Sequence, residues 1–298
     1  MRVTIVLASV FVATVAAVTI ALRPGPHERE IARWREAREA SLTGDDGWLT
    51  VAGLYFLEPG GQTFGSDPGN DFVLPAGPPR AGVFHLDEGR VRVELAAGVD
   101  GAIDGRPVRD AELRPASEGR PPDTLVMGRL ALFLHHSGDR LAIRLRDREN
   151  PLRRTFAGCR WYPIEKAFRV EGRFEPYAEP AERHVPNVLG DLEHYTASGL
   201  VVFLLHGTEQ RLEAFDSTGP DGPRLFFVFR DATSGRETYG AARFLYADAP
   251  DGKGRVVLDF NKAYNPPCAF NPHTTCPLPP PMNVLEVGIE AGELDARE

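Results

Sequence analysis

Beyond Gly47 the chain is written in short alternations of apolar and polar residues cut by glycine, proline and aspartate. Trp48 to Leu57, Phe72 to Leu74, Gly82 to Leu86, Arg90 to Leu95, Thr124 to Leu134 and Arg140 to Arg146 are rich in β-branched and aromatic residues and end at turn formers. That is the pattern of half-buried strands. The second half keeps the texture without repeating the sequence. Phe168, Val170, Gly172 and Phe174 alternate with Arg169, Glu171 and Arg173, and Gly199 to Leu205, Leu225 to Arg230, Tyr239 to Tyr246 and Arg255 to Phe260 follow as strands. Between Phe174 and Gly199 proline and histidine interrupt the pattern, which predicts a long irregular connection. Charge and proline between Arg148 and Arg160 mark a division. The expected fold is mainly β: two sandwich- or barrel-like parts, residues 47–150 and 151–298, preceded by an N-terminal apolar helix and a short amphipathic helix.

The amphipathic helix is His27 to Leu42, within residues 27–46. Ile31, Trp34, Ala37 and Leu42 fall near one face, arginine and glutamate fall elsewhere, and Gly44 supplies a stop. Its charges read as a solvated face of a stalk or of a collar packed on the domain. Ahead of it, Val3 to Leu22 is twenty residues without a charge, between Arg2 and Arg23. A helix of that length spans about 30 Å, the thickness of a bilayer core. Residues 1–26 are therefore expected to be a membrane anchor or a cleaved signal peptide. The protein is expected to be exported, either membrane-anchored or secreted to the periplasm or beyond.

Composition narrows the partners. With 34 basic and 42 acidic residues in 298, the net charge of −8 has the wrong sign for neutralising phosphates along a nucleic acid. The 30 glycines and 26 prolines agree with many turns. No Gly-x-Ser-x-Gly, His-Glu-x-x-His, phosphate loop or dinucleotide fingerprint occurs, so no cofactor is expected and no reaction is named.

The densest chemistry lies in Asp259 to Pro281, which holds two cysteines, one histidine, three asparagines and seven prolines. Proline at that density admits neither a helix nor a central strand, so the segment is an ordered loop. Cys268 and Cys276 are eight positions apart. In an oxidising compartment they are expected to form a disulfide, closing a ring that contributes about 2.6 kcal/mol in the chain-entropy model. Cys159 is then left as a small buried hydrophobe. Cys268, His273 and Cys276 also form a C-x4-H-x2-C cluster, but a zinc site needs a fourth ligand that the spacing does not supply, and no metal is expected. A Cys-His hydrolase built from the same residues would need a free thiolate.

Three segments carry a resemblance: GWLTVAGLYFLEPGGQTFGSDPGNDFVLP (Gly47 to Pro75), FRDATSGRETYGAARFL (Phe229 to Leu245) and DFNKAYNPPCAFNPHTTCPLPP (Asp259 to Pro280). With Glu290-Ala291-Gly292-Glu293, they are similar to the family called domain of unknown function 1684, collinearly from the helix to the C-terminus. The resemblance implies no reaction and no catalytic residues. Phe64 to Leu74 also resembles the opening of a forkhead-associated β-sandwich, a fold that reads phosphothreonine through an arginine after the glycine. Here Ser66 stands in that place, and Val83-Phe84-His85 lacks the serine. The resemblance implies a sandwich, and the missing guanidinium fork argues against phosphopeptide binding.

For a site, parity is the guide. Glu237, Tyr239 and Arg243 fall on one face if their segment is a strand, and Asp259 and Asn261 fall on one face of the next. Pairing of the two strands through the Ala249 to Gly254 turn would line one cleft with all five side chains, with Tyr264 and Asn265 at its end and His273 in the roof. Such a cleft suits a small polar ligand or another envelope component, and binding is the leading expectation. The alternatives are a hydrolase of envelope glycan or peptide with Glu237 and Asp259 as acid and base, and a ligand-free scaffold in which the polar groups brace the loop.

Overall fold

The computed structural model describes residues 24–117 and 119–296. The apolar run Val3 to Leu22 lies outside these residues. Among the described residues no helix is long and apolar enough to cross a membrane.

Helix α1 (Pro26–Thr43) begins with proline at its first turn, where a missing N–H is harmless, and the Gly25 N–H donates to Glu28 Oε2 at 2.6 Å. It ends where the Gly44 N–H donates to the Ala40 carbonyl at 2.9 Å. Ile31 and Leu42 are buried as expected, whereas Ala37 is exposed. Arg29 and Arg33 are exposed, but Arg35 and Arg38 do not belong to a solvated face. Arg35 donates to the Tyr162 carbonyl at 3.1 Å and Arg38 to the Asn265 carbonyl at 2.9 Å, so α1 is a collar clamped to the second half.

The first half contains β1 (Val51–Phe56), β2 (Gly60–Gly65), β3 (Phe72–Val73), β4 (Gly82–Asp87), β5 (Arg90–Leu95), β6 (Ala102–Ile103), β7 (Arg106–Pro107), β8 (Asp110–Leu113), β9 (Thr124–Met127), β10 (Leu130–Ser137) and β11 (Arg140–Asp147). They form a sheet in the order β1-β11-β10-β9-β6-β7 and another in the order β3-β2-β4-β5-β8. The inward residues of both, including Phe64, Phe84 and Val93 from one and Leu125, Leu132 and Ile143 from the other, make a single core, which is a β-sandwich. The run from Thr124 to Leu134 is a hairpin rather than one strand. Gly128 at φ 57° turns the chain, and only glycine adopts that conformation without strain.

A short helix, α2 (Pro151–Thr155), leads into β12 (Arg169–Pro186), β13 (Leu192–Leu205), β14 (Thr208–Gly219), β15 (Gly222–Phe229), β16 (Arg243–Asp248) and β17 (Arg255–Asp259). Their order is β16-β15-β14-β13-β12-β17, antiparallel throughout. The predicted irregular connection from Phe174 to Gly199 is instead the long β12–β13 hairpin. Its register shifts between Pro176 and Ala181, and that interruption accommodates prolines which cannot donate to a ladder.

The predicted β16–β17 hairpin is not formed. β16 pairs with β15 and β17 with β12, which puts them at opposite edges of the sheet. The sheet curls into a nearly closed barrel, and the chain after β17 returns to β16, where Tyr264 and Phe244 exchange backbone bonds of 2.9 and 2.8 Å. Apolar residues fill both faces. Phe227 and Phe229 of β15 enter the interior with Leu258 and Phe260, while Phe226 and Val228 meet Tyr195, Phe244 and Cys276 on the other side. A strand buried on both faces is why Leu225 to Phe229 reads as an unbroken apolar run.

Candidate functional site

The five side chains predicted to share one cleft do not converge. Glu237 and Tyr239 lie in turns between β15 and β16 rather than in a strand, so parity does not place them with Arg243. Arg243 is fully buried. Its Nη1 donates to Asp231 Oδ2 at 2.6 Å and to the Ile289 carbonyl at 2.9 Å, and its Nη2 donates to the Ala291 carbonyl. Asp231 in turn accepts from the Thr233 N–H at 2.8 Å and hydroxyl at 2.6 Å. These bonds tie β16 to the C-terminal segment and leave the guanidinium no open face toward solvent. Glu237 is exposed and accepts from the Tyr162 hydroxyl at 2.6 Å; burial, then that carboxylate, pushes the Tyr162 pKa up. Tyr239 is buried with its hydroxyl 3.4 Å from the Cys268 carbonyl.

Asn265 is also inside. Its side-chain amide donates to the Leu294 carbonyl at 2.7 Å and to Glu293 Oε1 at 3.2 Å. Burial raises the Glu293 pKa against the pull of Arg38, 3.6 Å away. Tyr264 lies under the Arg38 guanidinium at 4.6 Å, and burial pushes its phenol up.

The loop over this region joins the two halves. Asn271 donates to the Val51 carbonyl at 2.7 Å, and Thr275 meets His135 at 3.0 Å and Arg144 at 3.2 Å. Burial, then Arg144, lowers the His135 pKa to about 3, and burial lowers Arg144 to about 10. The His273 N–H donates to Asn271 Oδ1 at 2.8 Å, and burial lowers the His273 ring pKa. The predicted disulfide is not made in the structure. Cys268 and Cys276 are free thiols, with the Cys268 N–H donating to Cys276 Sγ at 3.2 Å, and Cys159 is free as well. Among the described residues no group of three His, Cys, Asp or Glu side chains is placed to hold a metal ion.

Asp259 and Asn261 do come together, at the end of β17. Asp259 Oδ1 accepts from the Asn261 N–H at 3.2 Å and side-chain amide at 2.9 Å, and Asn261 brackets Glu165 through bonds of 2.9 and 2.8 Å. The remaining oxygen, Oδ2, meets His27 Nε2 at 2.6 Å. A carboxylate only accepts, so Nε2 is the donor. Nδ1 is shielded and has no partner.

The His27–Asp259 pair fixes one wall of an open groove of about 510 Å³ lined by Pro26, His27, Glu30, Arg33, Lys166 and Arg169. His27, Glu30 and Arg33 recur every three residues and so follow one side of α1. Lys166 lies in the single 3₁₀ turn before β12, and Arg169 starts the strand. Two of the charges are matched: Glu30 meets Lys262 at 2.6 Å, which lowers its pKa, and Arg169 Nε lies 3.8 Å from Asp259. Arg33 and Lys166 make no ion pair among the described residues. The sequence held no local signal for this site, because His27 and Asp259 are 232 positions apart. The three-residue spacing on α1 was visible, but it is equally the pattern of a solvated face.

A family model described as a protein of unknown function, DUF1684, matches residues 154–294. The Gly47 to Pro75 segment lies outside that match. Among solved structures, the chain is similar to an uncharacterised protein of Haloarcula marismortui determined in solution, at 31% identity and a TM-score of 0.41, over 49% of this chain and 81% of that one. No curated protein matches.

Proposed function

This chain belongs to the DUF1684 family, whose description names no reaction, and we propose that it is an exported envelope protein that binds a small anion in the groove between α1 and the start of β12. The observation that carries this reading is the pair of cations, Arg33 and Lys166, lining a groove without carboxylate partners. A cation left unmatched in a concave surface favours an anionic ligand, and a carboxylate or phosphate offers the oxygens that a guanidinium fork fits. The His27–Asp259 bond supports the reading because it holds the first turn of α1 against β17, so the groove is formed before a ligand arrives. The ligand thus sits beside His27 rather than over Arg243. Calorimetric titration of the full chain with inorganic phosphate and with malonate tests it. Saturable binding that is lost in Arg33→Glu and Lys166→Glu, at unchanged melting temperature, is expected, and absence of binding to the unaltered chain refutes it.

A hydrolase is the second reading, because an Asp-His pair is the arrangement that orients a general base. Asp259 would then position His27 instead of transferring a proton itself, since its oxygens already accept from Asn261 and His27. The shielding of Nδ1 weighs against this reading. Turnover of a model ester or glycoside that disappears in His27→Asn would promote it. The proposed compartment also bears on the loop thiols, since export to an oxidising space would favour closing Cys268 and Cys276.

A further inference from the structure

We infer that the anion taken by the groove is the phosphodiester headgroup of an anionic phospholipid, contacted from the membrane surface; the inference rests on the anion-binding reading above. Its independent support is position. The uncharged run ends at Leu22, and His27, on the groove wall, is only five residues later. Five residues reach at most about 18 Å when fully extended. The headgroup layer on one side of a bilayer is itself roughly 5–8 Å deep. With Val3 to Leu22 in the bilayer, the groove is held at or just above that layer, and lipid phosphate is the anion present there at the highest concentration.

Charge points the same way. The chain as a whole carries −8 and is repelled by an anionic surface, so contact with that surface needs a local cationic face. Arg33, Lys166 and Arg169 supply one in the groove that also includes Pro26, at the start of α1. Lys166 and Arg169 come from the barrel and Arg33 from the collar, so a headgroup seated between them would also join α1 to β12 and set the tilt of the barrel on the membrane.

The test uses the full chain in nanodiscs of seven parts phosphatidylcholine to three parts phosphatidylglycerol, with the photoreactive residue p-benzoylphenylalanine in place of the exposed Ala167. Phosphatidylglycerol adducts are expected at least threefold above that lipid's mole fraction, falling to the mole fraction in Arg33→Glu/Lys166→Glu. Adducts at the mole fraction in the unaltered chain overturn the inference. If the same chain binds inorganic phosphate in detergent while its lipid adducts stay at the mole fraction, the groove takes a soluble anion and only the headgroup assignment fails. If neither is seen, both fail.

Discussion

Arg243 and Asp231 meet at 2.6 Å with both side chains wholly shielded from solvent. Removing one member of such a pair strands the other charge in a medium that cannot solvate it, at a cost of about 3–5 kcal/mol. Arg243→Ala is therefore expected to lower the unfolding free energy by that amount in urea titration, since it also orphans the Ile289 and Ala291 carbonyls. A loss under about 1 kcal/mol would mean that the network is not the brace described.

Acid stability should depend on His135. Its pKa is lowered in the folded protein from an ordinary value of 6.5 to about 3, so the unfolded chain binds the proton more readily in that window. Stability from this group is thus present above pH 6.5 and lost as pH falls toward 3, by at most about 1.4 kcal/mol per pH unit. Glu293 works in the opposite sense, because its raised pKa gives stability that fades as pH rises through the folded value. The variant isolates the histidine: unfolding free energy should fall less between pH 7 and pH 4.5 in His135→Gln than in the unaltered chain. Equal falls would contradict the burial of an uncharged His135.

Burial raises the Cys159 pKa, and the bond to Cys268, then burial, raises that of Cys276, so both thiols should label slowly with a thiolate reagent at neutral pH in the reduced protein. In an oxidising buffer, peptide mapping without reductant should find Cys268 joined to Cys276 and Cys159 free. A mixed disulfide through Cys159, or two loop cysteines that stay reduced under a disulfide oxidant, would refute the pairing.

Ser66 donates to the Gly77 carbonyl at 2.8 Å, which ties the loop after β2 to itself and offers no guanidinium there. Phosphothreonine peptide libraries should show no saturable binding to the full chain. A peptide held at low micromolar affinity and released by dephosphorylation would overturn this.

What the sequence disclosed depended on the range of the interaction. The alternation at β4 and β5 and the Gly44 stop of α1 are local, and they were legible. The β12–β13 hairpin was hidden because Pro176 and Pro180 normally break strands, and only the register shift beside them admits the pairing. Parity gathered Glu237, Tyr239 and Arg243 by assuming a strand where the chain makes turns around Asp231 and Thr233. The contact between Asp259 and Asn261 was legible because they sit two apart at a strand end. His27 was not, since only the closure of the barrel and the docking of α1 bring it within 2.6 Å of Asp259.

Direct observation of an anion in the groove is the most telling measurement. Crystals of the full chain grown with sodium selenate, measured at the selenium edge, are expected to give an anomalous peak within hydrogen-bond reach of Lys166 Nζ and of the Arg33 or Arg169 guanidinium. That peak should vanish in Lys166→Glu. No selenium between these residues in the unaltered chain, with the groove open to solvent and selenate at high concentration, would contradict the assignment of this groove as the ligand site.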